Sequence, residues 1–316
     1  MIILNSKKLV LAVHGGAGRW NLDNDTREAV YRSLRDALNA GFNVLKSGGK
    51  ALDAVVEAVK VLEDSEIFNA GIGSALNALG YVEMDAGIMD GRSLRAIGIG
   101  ATRYPKNPIV LARYAMEYTD HVIIVGEGAD RLAKILRLEP RNNYIPSKIV
   151  AKYRELVKNP RSIGYWKKLP EILPKFLVGD TVGAVAMDDE GNVAAAASTG
   201  GVWLKLPGRI GDTPIVGAGF YADNRGGAAV ATGLGEVIIM YGLTRKAVEK
   251  MISGLDANTA CVTTIRELTS IYGDNNAGIL CLDLRGEIVA VHNTPAMPYG
   301  YIEDLELKIS FSGVKI

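Results

Sequence analysis

The segment FLVGDTVGAVAMDDEGNVAAAASTGG, residues 176–201, predicts a β-hairpin near the middle of the chain. Its two apolar runs are separated by DEGN at 189–192, a combination that favours a tight turn. The first run begins with Thr181, directly after Gly-Asp, and the second ends in Ser-Thr-Gly-Gly at 198–201. A β-branched threonine commonly begins a strand, so residue type alone gives Thr181 no function. Whether it has one depends on the rest of the chain.

The composition predicts a protein with a large hydrophobic core and no general affinity for nucleic acid or membranes. The chain has 316 residues, of which 48% are hydrophobic. Its 36 Lys and Arg balance 35 Asp and Glu, for a net charge of +1, so no strong attraction to polyanions is expected. No window holds the ~18 apolar residues of a membrane span. Residues 1–16 lack the apolar run, roughly 7–15 residues long, of a signal peptide.

The cysteine content bears on the cellular compartment. Cys261 and Cys281 provide no disulfide framework and no CxxC pair. Disulfides are typical of oxidising compartments, so this cysteine usage predicts a reducing one, most simply the cytoplasm.

Hydrophobic periodicity predicts strands and helices in both halves of the chain, in blocks rather than in strict alternation. Such blocks favour an α/β fold in which sheets stack inside layers of helices. Residues 137–178 are rich in Lys, Arg and Pro and predict a linker or a charged surface segment. The predicted helices cover 26–47, 51–63, 108–118, 130–136, 225–241 and 245–255. The predicted strands cover 8–14, 81–90, 94–102, 121–125, 181–188, 192–198, 214–220, 276–283 and 286–292.

Several common catalytic and binding motifs are absent from the chain. None of the three histidines, His14, His121 and His292, belongs to a close-spaced metal pattern, and His14 is typical of a structural histidine after a strand. The hydrolase motif GxSxG and the phosphate loop GxxxxGK[ST] do not occur. Two stretches similar to GxGxxG have Arg103 and Ile238 in place of the third glycine. A nucleotide-binding interpretation of the glycine clusters therefore lacks a complete phosphate loop.

A hydroxyl nucleophile remains open, and it requires a base. Threonine is a poor nucleophile unless a neighbouring group removes its proton. An α-amino group, with a pKa of about 7.7–8.0, can do so at neutral pH. Thr181 would carry such a group only if the bond between Asp180 and Thr181 were cut. Its place at the mouth of a strand, after a linker-like segment, is compatible with such a cut.

Seven motifs follow one another along the chain: HGGAG (14–18), FNAGIGSALN (68–77), MDAGIMDG (84–91), the hairpin at 179–201, KLPGRIGDTPIVGAGFYAD (205–223), ATGLGE (231–236) and HNTPAMP (292–298). Together they resemble the plant-type L-asparaginase / isoaspartyl peptidase family of N-terminal-nucleophile hydrolases. The match spans nearly the whole chain and is weakest in the segment at 137–178. The resemblance implies a four-layer αββα fold, one domain over residues 1–316, and autocleavage into subunits 1–180 and 181–316.

The resemblance also implies catalytic roles. Thr181 would be the nucleophile, freed by autocleavage after Asp180. Thr199 would orient its amine and hydroxyl. The hydroxyl of Thr232 and the backbone N–H of Gly233 would form the oxyanion hole, where losing one donor typically costs ~10²–10³ in rate.

Further residues would bind the substrate. Arg209 would hold its α-carboxylate, for which a planar guanidinium suits better than a lysine. Asp212 would pair with its α-ammonium, helped by the carbonyl of Gly235, and Asn69 would hydrogen-bond near the nucleophile. The alternative for Arg209 and Asp212 is an ion pair in a surface loop.

The resemblance implies no cofactor for catalysis and a dimer of processed αβ units, with L-asparagine and β-aspartyl dipeptides as substrates. The loop from 62 to 72 resembles a sodium-binding loop of the family, which uses backbone carbonyls. These would be the carbonyls of Leu62, Glu63, Ser65, Phe68, Ala70 and Ile72.

Two alternatives stay open at this point. Many family members have Gly-Thr at the junction, whereas Asp180 precedes Thr181 here, as in the related glycosylasparaginases. The aspartate could act as the base for self-cleavage, or it could simply be tolerated. A non-catalytic homologue is the other alternative; it predicts loss of Thr181, Thr199, Arg209 or Asp212, and all four are present.

Overall fold

The central hairpin forms as the sequence predicts. In the computed structural model, which describes residues 8–20, 23–158, 181–303 and 305–316, its strands are Val182–Met187 (β5) and Val193–Thr199 (β6). They pair antiparallel, with Val182 opposite Ser198 and Met187 opposite Val193. At the turn the Asp188 carboxylate accepts the backbone N–H groups of Glu190 and Asn192 at 3.2 and 2.9 Å. The turn therefore holds the register that aligns the open ends of both strands.

The hairpin lies in the middle of an eight-stranded sheet, and a second sheet has five strands. The strand order is β12-β11-β1-β5-β6-β2-β3-β4 in the first and β13-β10-β9-β8-β7 in the second. The remaining strands are Val10–His14 (β1), Met84–Asp90 (β2), Ala96–Thr102 (β3), Ile123–Val125 (β4), Phe220–Asp223 (β7), Gly227–Gly233 (β8), Ala277–Asp283 (β9), Ile288–His292 (β10), Tyr299–Glu303 (β11), Glu306–Ser310 (β12) and Val314–Lys315 (β13).

The helices divide between the two sheets. Helices α1, α2, α3 and α4 pack on strands of the larger sheet, and α7 and α8 pack on strands of the smaller one. Asp23 caps the first helix by accepting the N–H of Thr26 at 2.8 Å. The helices are Asn24–Lys46 (α1), Ala51–Glu63 (α2), Pro108–Tyr118 (α3), Gly126–Ile135 (α4), Ser147–Lys158 (α5), Gly235–Tyr241 (α6), Leu243–Ile252 (α7) and Ala257–Tyr272 (α8).

The two sheets contact each other through small residues. A Cβ added to Gly87 in β2 would collide with the buried ring of Phe220 in β7. A Cβ added to Gly183 in β5 would lie 3.0 Å from Val230 in β8. Glycine at these positions therefore lets the two sheets approach closely, β2 against β7 and β5 against β8. Thr181 directly precedes β5, and Thr232 and Gly233 end β8.

The helix predicted over 225–241 is wrong in its first half. Residues Gly227–Gly233 form β8, between β7 and β9, and only Gly235–Tyr241 is helical. A short apolar run buried on both faces has the same hydrophobic pattern in a strand and in a buried helix. The strand predicted over 214–220 begins at Phe220 instead, and helix α8 and the strands from Tyr299 onward (β11, β12 and β13) were not predicted.

Two further expectations need correction. The segment at 137–178 contains α5, whose Ile149 and Leu156 are buried, so part of it is ordered structure; residues 159–178 lie outside the described residues. Cys261 and Cys281 form a disulfide that joins α8 to β9, so the expectation of no disulfide pairing is wrong. Among the described residues, no helix is both long and apolar enough to span a membrane.

Candidate active site

Thr181 lies at the open end of the hairpin, next to Thr199. Because Val182 pairs with Ser198, the antiparallel register places Thr181 opposite Thr199, and Thr181 is only 3% exposed. On the other side of β6, Thr199 is opposite Asp85 of β2. Three polar residues thus lie in a row across the sheet. Asp180, predicted to flank the cut, lies outside the described residues.

Asn69 holds the turn that follows Thr199. Its Nδ2 donates to the carbonyl of Gly201 at 2.7 Å and lies 3.5 Å from Oγ1 of Thr199. Its Oδ1 accepts the N–H of Ala75 at 2.7 Å, which fixes the amide orientation. Oγ1 of Thr199 also accepts the N–H of Gly201 at 3.0 Å. The Asn69 side chain therefore connects its own loop to the predicted nucleophile region.

Thr232 and Gly233 end strand β8, beside the glycine-rich motif at 14–18. Oγ1 of the buried Thr232 accepts the N–H of Ala17 at 3.0 Å. Gly233 has a φ of +139°, and a Cβ there would collide with the carbonyl of Asn276. Only glycine therefore suits this position. Because Thr232 already accepts one hydrogen bond, its own hydroxyl proton is available to a further acceptor.

Arg209, Asp212 and Gly235 come together as the sequence motifs predict. Arg209 makes a bidentate ion pair with Glu236, at 3.0 Å from Nε and 2.8 Å from Nη2, and its side chain is 15% exposed. A Cβ on Gly235 would lie 2.9 Å from Nη2 of Arg209 and 3.0 Å from the backbone nitrogen of Asp212. Glu236 was not predicted as a partner, although it follows Gly235 in the motif ATGLGE.

Asp212 is a buried carboxyl group with unused hydrogen-bonding capacity. Its side chain is fully buried, and Oδ2 has no hydrogen-bond partner among the described residues. Burial raises the pKa of Asp212 to about 7, and the positive charge of Arg209 opposes this rise only in part. A cationic group of a ligand placed here would lower the pKa and complete the hydrogen bonding.

A second buried charge, missed at the sequence level, lies beneath the turn after Thr199. Nζ of Lys205 donates to the carbonyl of Glu83 at 2.9 Å and lies 4.0 Å from Oδ2 of Asp85. A Cβ on Gly201 would lie 2.7 Å from this Nζ. Burial lowers the pKa of Lys205, and the nearby Asp85 opposes the shift. In the sequence, the one indication of a role for Lys205 is that it begins the motif KLPGRIGD, which also contains Arg209 and Asp212.

His14 is buried beside the hairpin. A Cβ on Gly183, its partner across β1 and β5, would lie 2.5 Å from its Nε2. Burial lowers the pKa of His14 to about 3, although the backbone of Thr181 acts in the opposite direction. The imidazole is therefore neutral near pH 7. In the part of the chain that the structure describes, no three His, Cys, Asp or Glu side chains form a group suited to a metal ion.

In the loop predicted to bind sodium, some of the carbonyl groups are already used in hydrogen bonds. The carbonyls of Leu62 and Ala70 already accept hydrogen bonds from Ser65 and Gly73 at 3.2 and 3.0 Å. The carbonyl of Phe68 faces Gly73 so closely that a Cβ there would collide with it. Uncharged oxygen donors are of the kind that hard cations prefer, so the loop fits sodium in donor chemistry.

Glu63, at the start of that loop, connects it to β6. Its Oε1 accepts the hydroxyl of Ser198 at 2.6 Å and the N–H of Ile109 at 3.0 Å. Burial raises the pKa of Glu63 to about 8, with these hydrogen bonds opposing the rise. The carboxyl group of Glu63, mostly protonated near neutral pH, thus links this loop to Ser198, the residue before Thr199.

A family model described as asparaginase matches residues 7–310. The chain belongs to the asparaginase family. It is 45% identical over 294 residues to a plant-type L-asparaginase of Pyrobaculum calidifontis, covering 92% of this chain and 96% of that protein. It is 43% identical over 300 residues to a plant-type L-asparaginase of Pyrococcus horikoshii, covering 94% and 97%. An isoaspartyl peptidase/L-asparaginase of Xenopus laevis is 41% identical over 308 residues, covering 96% and 94%. The family resemblance seen in the motifs is thereby confirmed.

Proposed function

We propose that this protein is a threonine amidohydrolase that converts L-asparagine to L-aspartate and ammonia and hydrolyses β-aspartyl peptides. The observation that carries the proposal is the juxtaposition of Thr181 with Thr199 at the open ends of the central hairpin, with Arg209 and the buried Asp212 as the charged groups. The relatives named L-asparaginase and isoaspartyl peptidase support the same substrates.

Substrate binding uses two opposite charges. The α-carboxylate replaces Glu236 as the partner of Arg209, since both are carboxylates that fit the same planar fork. The α-ammonium pairs with Asp212, whose Oδ2 is otherwise without a partner among the described residues. The carbonyl of Gly235 is a second acceptor for it. A free aspartyl head group carries both charges on one carbon, which is what this pair of residues selects.

The bond between Asp180 and Thr181 is cut first, which gives Thr181 a free α-amino group. This amine takes the hydroxyl proton as Oγ1 attacks the side-chain carbonyl of the substrate. The negative oxygen that forms is stabilised by the hydroxyl of Thr232 and the N–H of Gly233. Ammonia or an amine leaves with a proton, an aspartyl ester remains on Thr181, and water hydrolyses the ester to release L-aspartate.

The organisation around this chemistry is part of the proposal. The chain forms four layers in αββα order, which the division of helices between two contacting sheets supports. One domain is cut into subunits 1–180 and 181–316, and two processed units form a homodimer in the cytoplasm. The Cys261–Cys281 disulfide is compatible with that location, because both cysteines are fully buried and out of reach of reductants. No cofactor takes part in the reaction. A sodium ion in the 62–72 loop would have a structural role only.

Denaturing mass spectrometry and activity assays test the function together. We expect the incubated protein to separate into two fragments that divide before Thr181 and to release aspartate from L-asparagine. Thr181→Ala should prevent both, because it removes the attacking hydroxyl. The matched control Thr263→Ala, at a partly exposed position of α8, should prevent neither. A Thr181→Ala protein that is still cut there, or still hydrolyses asparagine, would contradict the proposal.

A second candidate is a glycosylasparaginase, favoured by the Asp180-Thr181 junction. This enzyme would release aspartate from asparagine that carries an N-linked glycan. Comparing kcat/KM for glycosylated asparagine and for free asparagine separates the two candidates. A higher value for the glycosylated substrate would replace the first proposal with the second.

A further inference from the structure

A cavity of about 300 Å³ lies beside Asn69. We call it the Asn69 cavity. It includes aromatic rings from three separate segments and two cations from α5. The lining residues that provide these rings and charges, together with Asn69, are Trp20, Phe68, Lys148, Lys152 and Trp203. Its volume is at the lower end of the range of small-molecule sites, roughly 300–1,000 Å³. It can hold one amino-acid residue rather than a long peptide.

The cavity adjoins the region of Thr181 and Thr199 but does not include Arg209 and Asp212, the residues proposed to bind the aspartyl head group. Asn69 forms part of its wall and lies within 3.5 Å of Oγ1 of Thr199, which is opposite Thr181. Arg209 and Asp212 do not line the cavity. A substrate anchored at those two residues, with its carbonyl at Thr181, can therefore place only its leaving group near the Asn69 cavity.

The charges at the cavity favour an anion. Lys148 is exposed and has no ion pair with any described residue. Among the described residues, Lys152 forms an ion pair with Glu155 alone, 3.3 Å away on the same helix, an interaction of little strength. Glu66, the acidic residue at the rim, accepts the hydroxyl of Tyr144 at 3.0 Å. An incoming carboxylate would thus meet two ammonium groups against one carboxylate.

Helix α5 is held in place, so the lysines have a defined position. Ile149 is buried with Leu76, Val82 and Met84, and Trp203 packs against the same cluster. Trp20 makes an edge-on contact with Phe68, with ring centroids 6.0 Å apart, and donates its indole N–H to the carbonyl of Gly16 at 3.1 Å. The aromatic walls are therefore fixed before a ligand arrives.

We propose that the Asn69 cavity is the subsite for the leaving amino acid of a β-aspartyl dipeptide. Lys148 and Lys152 bind its terminal carboxylate, and Trp20 and Trp203 contact its side chain. The subsite selects dipeptides with a large apolar or aromatic second residue. This inference rests on the proposed amidohydrolase function and adds its leaving-group specificity. The ammonia released from asparagine is too small to reach the cavity.

Three substrates test the subsite: L-asparagine, β-aspartyl-phenylalanine, and the same dipeptide with its terminal carboxylate converted to an amide. In fully processed Lys148→Gln/Lys152→Gln protein, we expect the ratio of kcat/KM for the dipeptide to that for asparagine to fall about tenfold. This is the effect expected when two ion-pairing cations are removed. For the amide the corresponding ratio should stay at the wild-type value. The matched control Lys158→Gln, on the same helix but outside the cavity lining, should behave as wild type.

The outcomes separate the two proposals. If the protein hydrolyses asparagine and the dipeptide but the double substitution leaves their ratio unchanged, the subsite is overturned and the function stands. An equal fall of the ratio for the amide and the free dipeptide also overturns it, because the lysines would then not bind the carboxylate. If processed wild-type protein hydrolyses none of the three substrates, the proposed function fails, and the subsite with it.

Discussion

The two ends of the candidate site are built differently. At the head-group end, Arg209 and Asp212 come from one short segment, are mostly buried, and are held by Glu236 and tightly packed glycines. At the leaving-group end, the Asn69 cavity combines four separate segments and has an exposed cation, Lys148. Buried charges accept one arrangement of partner charges, whereas an aromatic surface favours side chains in proportion to the apolar area that they bury. We expect strict recognition of the aspartyl group and graded recognition of what is attached to it.

The largest expected effect is at the head-group end. Arg209→Lys removes the planar, bidentate donor and should lower kcat/KM by about 100-fold, as expected for lost hydrogen bonds to a charged group. The loss should be the same for asparagine and for β-aspartyl-phenylalanine, because both carry the same head group. Steady-state kinetics on both substrates checks this. Arg245→Lys, exposed on α7, is the control. A loss confined to one substrate would contradict the assignment of Arg209 to the head group.

Asp212 should make both the stability of the protein and its activity depend on pH. Its pKa of about 7 in the folded chain lies above the value of 3.8 expected when unfolded. The folded state therefore binds the extra proton, and this contribution to stability is lost as pH rises from about 4 to about 7. The unfolding free energy of Asp212→Asn minus that of wild type should therefore increase by about 2–4 kcal/mol between pH 4 and pH 8.

The measurement for Asp212 is denaturant unfolding of both proteins at a series of pH values. Glu63, with a pKa of about 8, contributes in the same direction and is common to both proteins, so it cancels in the difference. In wild type, kcat/KM should rise as pH increases through about 7, because only the ionised carboxylate binds the substrate ammonium. A stability difference that does not change with pH would show that Asp212 is ionised in the free protein.

A smaller effect is expected from the aromatic wall of the Asn69 cavity. Trp203→Phe keeps an apolar ring for the Ile149 cluster but reduces the surface offered to the leaving group. The ratio of kcat/KM for β-aspartyl-phenylalanine to that for asparagine should fall about threefold, in the range of one aromatic contact. For β-aspartyl-glycine the ratio should not change. Equal changes for both dipeptides would indicate a structural effect rather than contact with the side chain.

The smallest effect should come from ionic strength. Lys148 is exposed, whereas the side chain of Arg209 is only 15% exposed. Added salt screens exposed charges more strongly than buried ones, with a Debye length of about 10 Å at 0.1 M and about 3 Å at 1 M. The KM for β-aspartyl-phenylalanine should rise roughly twofold more than the KM for asparagine over this range. An equal rise of KM for both substrates would contradict the proposal that exposed charges bind the leaving group and buried charges bind the head group.

Much of the head-group end could be predicted from the sequence, because its residues are close in the chain. The motifs containing Arg209, Asp212 and Gly235 named the residues that meet in space, and only the partner Glu236 was missed. The leaving-group end could not be predicted. Lys148 lies in a basic segment with proline on either side, a composition typical of a linker, and its helix is held through Ile149 by residues far away in the chain.

The sequence by itself determined the family, the central hairpin and the candidate nucleophile Thr181. Apolar runs, turn residues and motif order are local properties of the sequence, which do not depend on how distant segments pack. Only the tertiary structure decided that 227–233 is a strand, that Cys261 and Cys281 are joined, and that Lys205 and Asp85 are buried together. These features depend on which distant segments pack against each other. Such contacts follow from the sum of burial over the whole chain, and no local pattern encodes them.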